Sequence, residues 1–182
     1  MVIITFDRVT YADHDKKILE DIQFEVEKGD FLSIVGPSGS GKSTLLRLAS
    51  QLISPTSGNI YFHQKNMKEM DPIMIRQKIS YGFQSPQLFG KTVRDDMAFP
   101  YHIRKIESDS KRISFLFDLF QMDRTYLDKE ITKLSGGEKQ RIALIRQLLF
   151  EPEIILLDEV TSALDAENTK LVENILSQFN QT

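Results

Sequence analysis

The sequence has no cysteine, which excludes disulfides and thiolate metal sites and fits a reducing compartment. It has no surplus of basic charge either. Lys and Arg number 23 against 26 Asp and Glu, a net charge of −3, so there is no electrostatic footprint for nucleic acid or anionic lipid. No apolar run approaches the roughly 18 to 20 residues of a spanning helix. The first residues lack the charged-then-apolar pattern of a signal peptide, and there is no internal repeat or low-complexity tract. The expected location is therefore the cytosol, and any part in a membrane process would come through docking on a partner. What is present is a globular composition, 41% apolar over 182 residues, enough for one sizeable core.

The most informative stretch runs from Gly36 to Thr44, Gly-Pro-Ser-Gly-Ser-Gly-Lys-Ser-Thr, which fits the phosphate-binding pattern Gly-x4-Gly-Lys-[Ser/Thr]. Gly36, Gly39 and Gly41 can take positive φ, so that successive N–H groups, with Ser38 and Ser40 between them, line one concavity around a polyphosphate. Lys42 adds a point charge near the outer phosphates, and Ser43 offers a hydroxyl to Mg2+. A helix beginning there aims its positive end at the same anion. The alternative is a Gly/Ser-rich connecting loop. The context argues against it: Phe31-Leu32-Ser33-Ile34-Val35 reads as a short buried strand leading in, and Thr44 to Leu52 as a helix leading out.

Elsewhere the pattern alternates between strand and helix. Residues 2 to 11 are rich in β-branched and aromatic types, and Ile22, Phe24 and Val26 alternate with polar residues before the turn at Lys28-Gly29-Asp30. These stretches, with Asn59 to Gln64 after the turn Ser54 to Gly58, predict a small antiparallel sheet. Ile79 to Phe83 reads as a further strand ending at Gln84. Beyond it helical periods take over, and Ile113, Leu116, Phe117 and Phe120 share one helix face as core residues. From Glu138 onward Ile142, Ile145, Leu148 and Leu149 line a helix, Pro152 helps to stop it, and Glu153 to Leu157 form a buried strand. Leu171, Ile175 and Phe179 mark a last helical face.

Two more clusters carry chemistry. Ile154 to Leu157 end in Asp158-Glu159, where Asp158 supplies a ligand for Mg2+ and Glu159 is a candidate to orient or deprotonate an attacking water. Leu134-Ser135-Gly136-Gly137-Glu138-Lys139-Gln140-Arg141 joins a capping serine to paired glycines at a helix start, a second anion-binding surface made by Ser135, Gly136 and Gly137. One copy's P-loop and another's Ser-Gly-Gly could hold one ATP between them.

With these segments in this order, the sequence resembles the ATP-binding cassette (ABC) ATPases. The resemblance identifies Gly36 to Thr44 as Walker A, Gln84 as the Q-loop glutamine, Leu134 to Glu138 as the signature, Ile154 to Asp158 as Walker B, Glu159 as the catalytic glutamate, and Ser162-Ala163-Leu164-Asp165 as the D-loop. Tyr11 corresponds to the adenine-stacking aromatic. The implied fold is α/β: a P-loop (RecA-like) core over 31–57, 65–85 and 137–182, an antiparallel β subdomain over 1–30 and 58–64, and a helical signature subdomain over 86–136. The resemblance further implies ATP and Mg2+ as ligands, with Ser43, Gln84 and Asp158 at the metal. It also implies a head-to-tail homodimer, and a transmembrane permease whose coupling helix docks near Phe83 to Phe89 and anchors the subunit on the inner face of the membrane.

Two departures stand out. Position 138 is Glu where the family usually has Gln, which should matter little because Ser135 and the glycine amides make the phosphate contacts. The family's switch histidine lies well beyond the catalytic glutamate on the loop after another strand, whereas His14, His63 and His102 all precede the signature. The expectation is that the chain stops short of the last strands and helices of a complete cassette, binds MgATP and hydrolyses it weakly. The run Leu52 to Gly58, and the segment from Gln84 through Leu88-Phe89-Gly90 to Phe99-Pro100 and Ile103-Arg104, resemble small bacterial cassettes paired with a separate permease and implicated in iron export. The alternative is a soluble ABC ATPase of the iron-sulfur assembly kind.

Overall fold

In the computed structural model, which describes residues 1–160 and 165–180, the chain divides into two units. The first comprises Met1–Tyr81 and Glu153–Asp158, the second Gly82–Pro152 and Glu159–Asn180.

Four strands of the first unit form an antiparallel sheet in the order β2-β1-β3-β4: β1 Val2–Asp13, β2 Lys16–Glu27, β3 Ser57–Phe62 and β4 Lys65–Asn66. On β2 the predicted alternation holds, with Ile22, Phe24 and Val26 half-buried between exposed neighbours; on β1 Ile3, Ile4 and Phe6 are buried, and the Phe6 ring stacks on Phe24 at 4.5 Å between centroids. The register then shifts between Phe6 and Val9. Such an irregularity reverses which face a residue presents, and Val9 is thereby fully buried. Ile3, Ile4, Phe6, Val9, Ile60 and Phe62 join Leu48 and Ala49 of helix α1 (Lys42–Ala49) in one core. A side chain of this kind contributes about 1.5–3 kcal/mol when buried. Helix α2 (Pro72–Lys78) starts with Asp71 accepting the Ile73 N–H at 2.8 Å and with Pro72 in its first turn, where the missing N–H costs nothing. Strands β5 (Ile79–Gly82) and β6 (Ile154–Leu157) pair with each other.

One element differs from the sequence expectation. Residues 31–35 are not in a strand, and Phe31, Leu32, Ile34 and Val35 are exposed, Val35 by 88%. β-propensity measures how well a residue fits a pleated, paired surface, and among the described residues neither β5 nor β6 pairs with this segment. β6 is likewise only half-buried.

The second unit is helical: α3 (Val93–Arg104), α4 (Ser110–Leu119), α5 (Gly136–Leu148) and α6 (Ala166–Asn180). α3 opens with a capping box, Thr92 accepting the Asp95 N–H and the Asp95 carboxylate accepting the Thr92 N–H. The helix face expected from the periodicity is the core face. Leu116, Phe117 and Phe120 are fully buried, and Ile142, Ile145 and Leu148 of α5 are buried with them. On α6 the buried residues are Val172, Ile175 and Leu176: of the predicted row Ile175 is buried, while Leu171 and Phe179 are half-buried. No helix among the described residues is long and apolar enough to cross a membrane.

Candidate functional site

In the first unit the loop from Gly36 to Ser43 runs into α1, as the sequence requires. Gly41 is the N-cap residue, with φ 95° and ψ 10°. A Cβ there would also lie 2.8 Å from Leu19 Cδ2 and 3.2 Å from Ile18 Cγ2, so only glycine meets both demands. Gly39 shares the positive φ, but Gly36 does not. At Gly36 a Cβ would meet Ser40 Oγ at 2.7 Å, a contact that the exposed Ser40 side chain can relieve by changing rotamer. Ser38 and Ser40 are exposed and Thr44 is half-buried in the first turn of α1. The Lys42 ammonium donates to the carbonyls of Gly36 at 3.0 Å and Pro37 at 3.1 Å, placing its charge against the loop backbone.

Ser43 Oγ donates to Asp158 Oδ1 at 2.8 Å, and the Tyr81 hydroxyl donates to Asp158 Oδ2 at 2.7 Å. Two predicted metal residues 115 positions apart are thus in direct contact, with Asp158 only 8% exposed. A hydroxyl and a carboxylate are the hard oxygen donors that suit Mg2+ beside a phosphate, and the pair fits that ion. Tyr81 escaped the sequence reading. Its phenol pKa is pushed up to about 12, chiefly by burial and then by the bond to Asp158. The only sequence signal was its place on the strand leading to Gln84. Tyr11 pairs with Leu19 across the β1–β2 ladder, and Leu19 is the residue that packs against Gly41.

In the second unit Gln84 Nε2 donates to Glu159 Oε2 at 2.8 Å, joining the two predicted catalytic residues. Glu159 has φ 50°, a backbone state that costs a non-glycine residue about 1–3 kcal/mol and persists where the surroundings impose it. Ser135 caps α5: its Oγ accepts the Glu138 N–H at 3.3 Å, while its own N–H donates to Glu138 Oε2 at 2.6 Å. Ser135 and Gly136 are exposed and Gly137 is half-buried; the N–H groups of Glu138 and Lys139 are taken by the Ser135 hydroxyl and carbonyl, which leaves those of Gly136 and Gly137 as the first-turn donors without an intrahelical acceptor. Asp165 accepts the Asn168 N–H at 2.8 Å at the start of α6, which holds its carboxyl below the usual range. The other D-loop residues, Ser162, Ala163 and Leu164, lie outside the described residues.

A second feature without a local sequence signal lies behind the Q-loop. Asp96, fully buried, accepts the Phe89 N–H at 2.7 Å and pairs with Arg146 of α5. The Arg146 guanidinium lies 4.8 Å from the Phe89 ring centre, and Phe89 stacks on Phe99 at 4.1 Å. The loop after Gln84 is thereby fastened to the helix that begins at Ser135.

A glycine-rich loop opening a helix, an oxygen-ligand pair beside it and a second helix N-terminus bared for an anion define a P-loop nucleotide-binding protein. Residues 19–162 match the family model described as ABC transporter. The chain is 44% identical over 177 residues, 97% of its length and 79% of the relative's, to the probable iron export ATP-binding protein FetA of Escherichia coli (strain K12). It is 38% identical over 191 residues to the energy-coupling factor transporter ATP-binding protein EcfA1 of Streptococcus pyogenes serotype M5 (strain Manfredo), covering 99% of this chain and 68% of that one. Among solved structures, the dimeric bacterial ABC transporter cassette MJ0796 superimposes with a TM-score of 0.88 at 28% identity, covering 98% of this chain and 83% of that one. The chain belongs to the ABC transporter family, as an ATP-binding, ATP-hydrolysing cassette.

Proposed function

We propose that the chain powers an iron exporter, docked through a separate permease on the inner face of the cell membrane and working as a head-to-tail homodimer. The observation that carries the chemistry is the contact of Ser43 with Asp158 at 2.8 Å. In this reading the amides of the Gly36 to Thr44 loop and the Lys42 ammonium bind the ATP phosphates, and Tyr11 stacks on the adenine. Ser43 and Asp158 hold Mg2+, whose charge neutralises the phosphates. Glu159 accepts the proton of the attacking water, and Gln84 fixes its carboxylate through their hydrogen bond. Ser135, Gly136 and Gly137 of the second copy close on the terminal phosphate.

The iron assignment is supported by the identity with FetA over 97% of the chain. The soluble alternative draws no support from the relatives named above, which are transporter proteins. The test is affinity purification of the protein from detergent-solubilised membranes, paired with cellular iron measured with and without the Glu159→Gln form. Recovery of a polytopic membrane protein, an iron content lowered by the active form, and ATP turnover reduced about 10²- to 10⁴-fold by the substitution are expected. A purification that yields only soluble factors would overturn the transport reading, and unchanged iron would overturn the cargo.

A further inference from the structure

Glu138 is at odds with the anion site it borders. In the reading above, on which this inference rests, the first turn of α5 receives a phosphate from a second copy, yet the third residue of that helix is a carboxylate. The structure records where its charge goes. Glu138 Oε2 accepts the Ser135 N–H at 2.6 Å, and Oε1 accepts the Tyr126 hydroxyl at 2.6 Å and the Lys129 ammonium at 3.2 Å. Lys129 Nζ lies 4.3 Å from the centre of the Tyr126 ring, so cation, phenol and carboxylate form one cluster. The Glu138 side chain is 16% exposed. Its carboxyl is held down at about 2, foremost by the Tyr126 hydrogen bond, so it is ionised throughout the physiological range.

We propose that Tyr126 and Lys129 are positioning residues of the signature half-site: they turn the Glu138 carboxylate back from the first turn of α5 and balance its charge. Three consequences support a working anion site. The Ser135 hydroxyl uses its oxygen to accept the Glu138 N–H and keeps its proton to donate. A Cβ built on Gly136 would meet nothing within 4 Å, so among the described residues the approach to its N–H is open. The like charge that would oppose a phosphate is paired with Lys129. A neutral side chain at position 138 would need no such partner, and this ties the test to one pair of backgrounds.

Lys129→Met and Tyr126→Phe are each made with and without Glu138→Gln, all in the full chain carrying Glu159→Gln so that ATP persists. The readouts are the MgATP concentration for half-maximal dimer by analytical ultracentrifugation, and the melting temperature without nucleotide. Lys129→Met should raise that concentration about three- to fivefold when Glu138 is present, the range of a partly exposed ion pair, and less than about twofold alongside Glu138→Gln. The melting temperature should not track this rescue. An equal shift in both backgrounds, or none in either, overturns the proposal while leaving the ATP-driven dimer intact. Absence of an ATP-dependent dimer in every form overturns the head-to-tail reading and this proposal with it.

Discussion

Replacing Arg146 with Met should cost the fold about 3–5 kcal/mol at neutral pH, the price of breaking a buried ion pair from one side. Asp96 is fully buried, and the Arg146 side chain is 15% exposed. Once the guanidinium is gone, the carboxylate keeps only the Phe89 N–H, because among the described residues its Oδ2 has no hydrogen-bond partner. For a chain of this length each kcal/mol lowers the melting temperature by about 2–4 °C, which gives a fall of about 6–20 °C. Asp96→Asn keeps an acceptor for Phe89 and the same shape, and leaves a cation that reaches water, so it should cost about 1–2 kcal/mol. The double variant should lie near Asp96→Asn, because the charge that Arg146→Met strands is no longer there.

Burial already raises the Asp96 carboxyl above its ordinary value of 3.8, with Arg146 pulling it back down. Without Arg146 it rises further, so the folded state holds the proton more tightly than the unfolded one. The penalty is then absent at pH below 3.8, grows as pH rises through the folded value, and is complete above it. Urea unfolding followed by circular dichroism at pH 7 and pH 5 measures this directly. A deficit of Arg146→Met below about 1 kcal/mol, or one identical at both pH values, would refute the buried pair as a fastening between the Q-loop and the signature helix.

Gly41→Ala meets both the positive φ and Leu19 Cδ2 at 2.8 Å, so it should destabilise the protein by about 2–4 kcal/mol and weaken ATP binding at least about tenfold, read by titration with a fluorescent ATP analogue. Tyr81→Phe should weaken MgATP binding modestly, because Asp158 loses a donor, about 1 kcal/mol or fivefold. The raised Tyr81 pKa also means that stability from its protonated phenol is intact below pH 10 and drains as pH climbs toward about 12. Unfolding midpoints at pH 9 and pH 11 should therefore diverge less in Tyr81→Phe than in the parent. Phe117→Ala, at a fully buried position on α4, should cost about 3–5 kcal/mol in chemical denaturation, and a loss under about 1 kcal/mol would mean that the helical core is not packed as described.

The sequence alone determined the parts whose chemistry is local. A Gly-rich loop before Lys-Ser, a serine three residues before an acid at a helix start, and an apolar run ending in two carboxylates each work through backbone geometry within one short segment, so residue type and spacing suffice to read them. Helix faces such as Leu116, Phe117 and Phe120 were legible for the same reason, since period 3.6 fixes which side chains share a side. The tertiary structure decided what depends on partners far along the chain. Asp158 meets Tyr81 77 residues away, Asp96 meets Arg146 50 residues away, and Glu138 meets Tyr126 12 residues away. The register shift that buries Val9 follows from pairing in three dimensions, as does the absence of a strand at Phe31 to Val35. A strand or a buried charge is defined by the ladder or counter-charge opposite it, and no local pattern encodes which distant residue will stand there.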